Sequence, residues 1–307
     1  MTRFIVLRLI QAVFTVIGIL VVVFFLLRLS GDPTRLLVSP TSSLEQLEAI
    51  RSSLGLDRSV ATQFVIYMRD MTTGNLGTSF VHARPVGDMI REAFPNTLRL
   101  GLPSFIIGML LALGLGILAA TRRDTILDNG VKFLAVLGQA LPGFWVAIMA
   151  VLIFSVTLGW VPAAGFERPV NYILPVAAQV FFMLPGMMRL VRSSMLDVLD
   201  SEYVKLARIK GLSERMVIWK HALRNALIAP LTTAGMIFAG LVGGAVIVEQ
   251  IFNWPGMGRL IVTATFARDF PVVQAVTLII AVMVVCMNLL VDITYAYIDP
   301  QIRYGKS

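Results

Sequence analysis

The chain has 307 residues, of which 57% are hydrophobic and only 14% are charged, and its formal net charge is +8. A soluble domain carries about 25% charged residues, so this composition excludes an ordinary water-soluble globule and predicts a membrane protein. The single cysteine, Cys286, excludes a disulfide framework and a CxxC metal site, and the two histidines, His82 and His221, lie far apart in the chain. We therefore expect no metal-binding residues and no catalytic residues.

Six apolar windows are long enough to cross the roughly 30 Å of membrane hydrocarbon as helices. They are Leu9–Leu27, Leu100–Ala120, Phe133–Leu158, Asn171–Met188, Asn225–Val248 and Val272–Val291. The first is longer than the apolar region of a signal peptide, so we expect it to be a retained span. Prolines inside the windows do not exclude helices, because neighbouring helices can satisfy the freed backbone groups. The sequence thus predicts an all-α polytopic membrane protein with about six transmembrane helices.

The lysines indicate the orientation of these spans. Cytoplasmic loops of membrane proteins are enriched in lysine and arginine. With the N-terminus inside, every lysine falls on a cytoplasmic piece of the chain; these residues are Lys132, Lys205, Lys210, Lys220 and Lys306. We therefore predict that both termini are cytoplasmic, and we interpret the positive net charge as a sign of topology and not of nucleic-acid binding.

This orientation makes Ser30–Asn96 a long external segment. A helix is expected over Leu44–Leu54, with Ser42 or Ser43 as its N-cap and Gly55 as its stop. The stretch "VIYMRDM" is a second helix candidate. The segment is either an irregular loop or a small cap that touches an external partner. The predicted division of the chain is residues 1–95, the first span with this periplasmic segment, and residues 96–307, a five-helix core.

Nucleotide-binding and hydrolase motifs are missing from the sequence. The terminal "GKS" lacks the first glycine of a phosphate-binding loop, because that position is Pro300. Neither a G-x-S-x-G elbow nor an H-E-x-x-H motif is present. The acids Glu249 and Asp292 lie at span ends, where we expect pairing with arginine or backbone and not a proton relay. We expect no cofactor in this chain, and a secondary transporter or channel stays an alternative.

The core contains one strongly charged loop, at about residues 189–225. Arg189–Arg224 holds eight Lys/Arg and four Asp/Glu residues. Gly211 suits the left-handed position that ends a helix, and Ser213 can cap the next helix. Apolar spacing predicts one packed face of Tyr203, Leu206 and Ala207, and a second that is made of Met216, Trp219, Leu223 and Leu227.

Three interpretations of this helical hairpin compete. A DNA-binding helix-turn-helix has a similar outline, but the flanking spans would hold it against the membrane. A basic helix could instead lie on anionic lipid. Only docking to a cytoplasmic protein explains a compact hairpin in place of one flat helix, and we favour it.

The stretch "EYVKLARIKGLSERMVIWKHALRNALIAP" resembles the EAA-loop signature of permease subunits of bacterial ABC importers, in particular those of the peptide/nickel branch, which includes dipeptide, oligopeptide and glutathione permeases. Lys205 and Arg224 depart from the general EAA pattern in ways that also resemble this branch. Further landmarks cover nearly the whole chain; they are "SGDP", "GNLGTS", "PNTLRL", "VEQIFNWPGMGRL", "RDFPVVQA" and "DPQIR".

The resemblance implies a type I importer subunit of the bacterial inner membrane. Such a subunit forms half of a translocation pathway with a second permease, together with two cytoplasmic ATPases that bind ATP and magnesium and a periplasmic solute-binding protein. The solutes would be peptides or related small molecules, and no substrate-binding residue can be assigned. The residues implied in docking the ATPase are Glu202, Tyr203, Ala207, Arg208, Lys210, Gly211, Leu212 and Ser213.

Overall fold

The computed structural model describes residues 2–34, 43–242 and 246–298. The apolar stretches of the sequence form its long helices, and shorter helices connect them. In chain order the α-helices are α1 (Thr2–Leu29), α2 (Leu44–Ser53), α3 (Val60–Thr72), α4 (Val86–Thr121), α5 (Ile126–Ala140), α6 (Gly143–Ala150), α7 (Ile173–Leu199), α8 (Glu202–Ile209), α9 (Glu214–Met216), α10 (Leu223–Ala226), α11 (Ile228–Val242), α12 (Val246–Ile251), α13 (Met257–Phe266) and α14 (Phe270–Ile298). A π-helical segment, Val151–Thr157, continues α6, and another, Val217–Ala222, joins α9 to α10. A 3₁₀ turn, Pro169–Tyr172, precedes α7.

Within the described part of the chain, five helical stretches are long and apolar enough to cross a membrane. They are Val6–Leu29, Val86–Thr121, Pro169–Leu199, Ile228–Ile251 and Phe270–Leu290. Each overlaps one of the six predicted windows, although part of the fifth predicted window, residues 243–245, lies outside the described residues. The all-α polytopic architecture is therefore confirmed.

The third predicted window, Phe133–Leu158, is not one continuous helix. The helices α5 and α6 meet there at a bend of 99°. The residues at the bend, Leu141 and Pro142, are extended, with ψ angles of 130° and 126°. Proline has no N–H to donate and disfavours helical backbone at the preceding residue, so Pro142 breaks this helix. The spans number six only if the bent pair counts as one.

The fourth predicted window, Asn171–Met188, ends too early. Helix α7 continues to Leu199, through residues that were predicted to belong to the charged loop. Pro185 lies inside this helix without ending it. The buried face of α7 includes Met187, Met188, Val191 and Met195, so apolar packing extends the helix beyond the apolar window.

The chain divides into two compact units, the first of which comprises Met1–Thr97 and Pro255–Cys286. In the segment predicted to be external, α2 begins at one of its two predicted caps, Ser43, and α3 begins at Ser59, a cap that was not predicted. Ser43 and Gln46 form a reciprocal capping box at α2, and the Ser59 hydroxyl accepts a hydrogen bond from the Thr62 amide at α3. Both helix predictions for the external segment are thus confirmed, and Gly55 follows α2 in the left-handed region, with φ of 67°.

Asp269 fastens the external segment of this unit. Its buried carboxylate accepts hydrogen bonds from the Ser79 hydroxyl and from the amides of Phe80 and Val81. A carboxylate that accepts several hydrogen bonds while buried holds its donors strongly. The described part of this segment after α2 begins, residues 44–96, is therefore helical in part and held to its unit at Asp269.

The second unit comprises Leu98–Trp254 and Met287–Ser307. Its core is built around α7, which packs against α5, α6 and α11. Gly116 of α4 lies so close to α7 that an added Cβ would stand 2.7 Å from Val191 Cβ and 2.9 Å from the Met188 carbonyl oxygen. The same cluster of buried residues includes Val204 and Ala207 of α8, so this helix of the charged loop shares the core of α7.

Candidate functional site

The charged hairpin, defined here as Glu202–Ala226, turns at Gly211. The Gly211 amide donates to the Arg208 carbonyl (2.9 Å) and the Leu212 amide to the Ala207 carbonyl (3.3 Å), which together form a Schellman motif. Gly211 has a φ of 79°, as its predicted left-handed position requires. A Cβ at Gly211 would find no atom within 4 Å. This position therefore favours glycine for its backbone conformation alone.

Arg208 ties three parts of the site together. Its guanidinium pairs with the Glu214 carboxylate across the turn, at 2.8 and 3.4 Å. It also donates to the Leu199 carbonyl at the end of α7, at 3.4 Å. Because one planar group contacts α7 and α9 from α8, it fixes the angle between the two arms of the hairpin.

The expected side-chain cap at Ser213 is absent. Ser213 has the extended backbone of an N-cap residue, but its hydroxyl makes no capping hydrogen bond. Its side chain is exposed, so water can satisfy the hydroxyl and the first amides of the helix. Glu214 in the first turn supplies the favourable negative charge at this helix start.

The packed face of α8 differs from the prediction. Val204 and Ala207 are buried, whereas Tyr203 and Leu206 are exposed. The predicted face of Tyr203, Leu206 and Ala207 is wrong for the first two residues. The smaller side chains of Val204 and Ala207 let α8 lie close to the core, and the bulky ones point outwards.

The packed face of the second arm is also shifted. Its fully buried residues are Val217 and Ala222, five positions apart, whereas Met216 and Trp219 are exposed. The segment between α9 and α10 is π-helical, so residues five apart share a face. The prediction assumed the α-helical period and therefore selected the wrong side for Met216 and Trp219.

An outward surface results from this packing. On a helix with 100° per residue, Glu202, Lys205, Leu206 and Ile209 lie opposite Val204 and Ala207; we call these four residues the outer face. Ile209 is 81% exposed and Leu206 is 50% exposed. Lys205 pairs with Glu202 at 2.8 Å, and this hydrogen bond raises the pKa of the lysine. Exposed apolar side chains with charge beside them are typical of a protein interface.

The eight residues implied by the resemblance divide into two groups. Glu202, Tyr203, Arg208, Lys210 and Ser213 are exposed, and Gly211 forms the turn. Ala207 is buried and Leu212 is half-buried against the core, so their side chains fix the hairpin to the molecule. Leu206 and Ile209 were not in the implied set. Their signal in the sequence is that both are large apolar residues in a charged helix.

A buried ion pair, also missed, joins α5 to α7 near the hairpin. Asp128 is fully buried and accepts hydrogen bonds from Arg192 Nε (2.6 Å) and Nη2 (2.9 Å). Lys132 Nζ lies 2.7 Å from the same carboxylate. The sequence does indicate that Asp128 lies in the first turn of α5, three residues after the capping Thr125, but nothing in the sequence identifies Arg192 as its partner.

Comparisons with known proteins identify the family of the chain. Residues 112–304 match the family described as "Binding-protein-dependent transport system inner membrane component", and residues 1–101 match its N-terminal companion, "Binding-prot-dependent transport system membrane comp, N-term". A Brucella abortus (strain 2308) protein, named for peptide transport as a permease, is 42% identical over 99% of this chain and 100% of its own. The oligopeptide transport system permease protein AppB of Bacillus subtilis is 37% identical over 99% and 100%.

A solved structure supports the fold. The chain aligns with "an amino acid ABC transporter with histidines" at a TM-score of 0.56 and 16% identity, over 69% of this chain and 94% of the other. The architecture is that of a type I importer, and the protein is a multi-pass component of the inner membrane. From the family match over most of its length, the chain belongs to the inner membrane component family of binding-protein-dependent transport systems, as a permease subunit of an ABC importer.

Proposed function

We propose that the chain forms half of the translocation pathway of an ATP-driven importer for peptides or related small solutes. A second permease completes the pathway, two cytoplasmic ATPases bind ATP and magnesium, and a periplasmic solute-binding protein delivers the solute. The chain itself is the non-catalytic membrane subunit. The observation that carries this proposal is the compact hairpin whose outer face exposes Leu206 and Ile209, on the side of the membrane that the lysines indicate is cytoplasmic.

The outer face is the proposed contact for the ATPase. Complete burial of a leucine or isoleucine side chain contributes about 1.5–3 kcal/mol. Ile209 is exposed enough to contribute most of that amount when a partner covers it. The charged residues beside it favour orientation and fast encounter more than affinity.

Movement of the docked ATPase would be transmitted through the hairpin to α7. Val204 and Ala207 share one core with α7, and Arg208 bonds to its last turn. The spans would then alternate between inward and outward openings. ATP can drive this change only if it binds the two states with different affinity.

The external contacts of the solute-binding protein are proposed on the other side. The segment Ser30–Asn96 and the stretch Phe252–Phe270 are the candidate surfaces. The capped helices α2 and α3 make the first of these a preformed surface, which lowers the entropy lost on docking. The names of the relatives support peptides as the solute class.

The test is the affinity of the purified subunit for its partner ATPase. Ile209→Ser removes an exposed apolar side chain from the outer face, and Ile126→Ser removes one that is 90% exposed at the start of α5. We expect the first change to weaken ATPase binding about tenfold, which corresponds to 1.4 kcal/mol, and the second to leave it unchanged. Equal binding by both variants, or transport by the chain alone in liposomes without ATP, would overturn the proposal.

A further inference from the structure

A cavity of about 850 Å³ opens where the second arm of the hairpin meets α11. Its polar wall is formed by Tyr203, Lys220, His221, Arg224 and Asn225. The Asn225 amide donates to the Tyr203 hydroxyl at 2.7 Å, which joins α8 to α10 at the cavity. Among the lining residues only Tyr203 belongs to the residues implied in docking the ATPase, and none belongs to the outer face.

The cavity carries an excess of positive charge. Lys220 and Arg224 line it without an ion-pair partner among the residues that the structure describes, and no carboxylate contributes to its lining. The nearby acids of the hairpin are engaged elsewhere, because Glu202 pairs with Lys205 and Glu214 with Arg208. The cavity is therefore complementary to an anion.

The opposite wall is apolar. Leu227, Ile228 and Leu231 line it, and Leu231 is 49% exposed at the beginning of a membrane-spanning stretch. Trp219, which is 59% exposed, immediately precedes the charged residues. Tryptophan is enriched at the level of lipid headgroups, which agrees with the position of the cavity at the start of the membrane-spanning stretch Ile228–Ile251. A ligand that fits both walls has an anionic head and an apolar tail.

We propose that this cavity binds the phosphate headgroup of an anionic phospholipid from the cytoplasmic leaflet. Lys220 and Arg224 contact the phosphate, and the acyl chains run along Leu227 and Leu231. Basic pockets at the cytoplasmic ends of spans suit such headgroups, and each basic residue near an anionic surface favours binding. This site goes beyond the proposed transport function and does not depend on which solute is carried.

The experiment is native mass spectrometry of the full chain in detergent. It compares phosphatidylglycerol with phosphatidylcholine of the same acyl chains. We expect wild type to bind phosphatidylglycerol at least about tenfold more tightly. The double variant Lys220→Gln with Arg224→Gln should lose this preference. The matched control, Lys210→Gln with Arg215→Gln, removes the same charge from exposed residues outside the cavity and should keep it.

Two further measurements keep the proposal testable if the double variant does not fold. Leu231→Trp places a larger side chain on the apolar wall and so reduces the space in the cavity, while it retains all the charges. This variant should also bind phosphatidylglycerol more weakly. In competition, glycerol 3-phosphate should not displace the lipid at equal concentration. Displacement would identify a soluble phosphate as the ligand, and equal losses in cavity and control variants would indicate unspecific attraction. Either result overturns the proposal, as does equal binding of the two lipids or loss of the adducts once the second permease and ATPases are bound.

Discussion

Substitution of Gly211 gives the sharpest prediction for the hairpin. Its φ of 79° places a non-glycine residue in the left-handed region, while no atom lies within 4 Å of the new Cβ. The whole cost is therefore backbone strain, about 1–3 kcal/mol for a β-branched residue. A turn that changed its backbone to avoid the strain would lose the amide hydrogen bonds of Gly211 and Leu212, each contributing about 0.5–1.5 kcal/mol. The free-energy cost is therefore in the same range whether the strain is kept or the hydrogen bonds are lost.

A loss of about 1–3 kcal/mol in the docking-competent conformation corresponds to about a 5- to 150-fold weaker complex. We expect Gly211→Val to weaken ATPase binding by this factor, Gly211→Ala by less, and Gly211→Asn least, because asparagine tolerates left-handed backbone. The assay is a titration of the detergent-purified subunit with its ATPase, alongside the amount of subunit inserted in the membrane.

Gly74 provides the matched control. It lies in the external segment with a φ of 77°, and it too has no atom within 4 Å of a built Cβ. Gly74→Val therefore introduces similar backbone strain away from the hairpin and should leave ATPase binding unchanged. The reasoning is refuted if Gly211→Val binds the ATPase as wild type does, or if the asparagine variant is as weak as the valine variant.

Three further predictions concern stability. Asp128→Asn should lower the unfolding free energy by about 3 kcal/mol, because the buried Arg192 pair is broken, and Asp128→Leu with Arg192→Met should recover most of it; an unchanged melting temperature for the single variant contradicts this. Gly116→Val should cost about 1–3 kcal/mol by overpacking, while Gly114→Val, which has open space, should not; equal melting temperatures would exclude close packing as the cause. Asp269→Ala should speed amide hydrogen exchange around residues 79–81 of the external segment and leave exchange in the hairpin as in wild type. If exchange rises equally in both regions, Asp269 is not a local anchor.

Much of the fold follows from the sequence because its signals are local. Span length depends on the run of apolar residues, and the turn at Gly211 depends on one residue's conformational freedom. The bend at Pro142 was missed because proline can also lie inside a helix, as Pro185 does in α7. Tertiary packing decides between these outcomes, and a single sequence does not contain it.

The candidate site was predicted less completely. The left-handed turn at Gly211 and the two helical arms beside it could be predicted, because glycine favours that backbone conformation at the end of a helix. The direction of Trp219 could not, because a π-helical segment changes the period that any face assignment assumes. The pairing of Asp128 with Arg192 could not be predicted either, because the two residues are distant in sequence and meet only through the packing of α5 on α7.

Helix α7 runs without interruption from Ile173 to Leu199, three residues before the hairpin begins at Glu202. Its 27 residues form a rod about 40 Å long at 1.5 Å per residue. A tilt of about 10° at the hairpin end would displace the far end of such a rod by about 7 Å, more than the 5.4 Å pitch of a helix. The continuous helix is thus a mechanical lever that can enlarge a small cytoplasmic movement across the membrane.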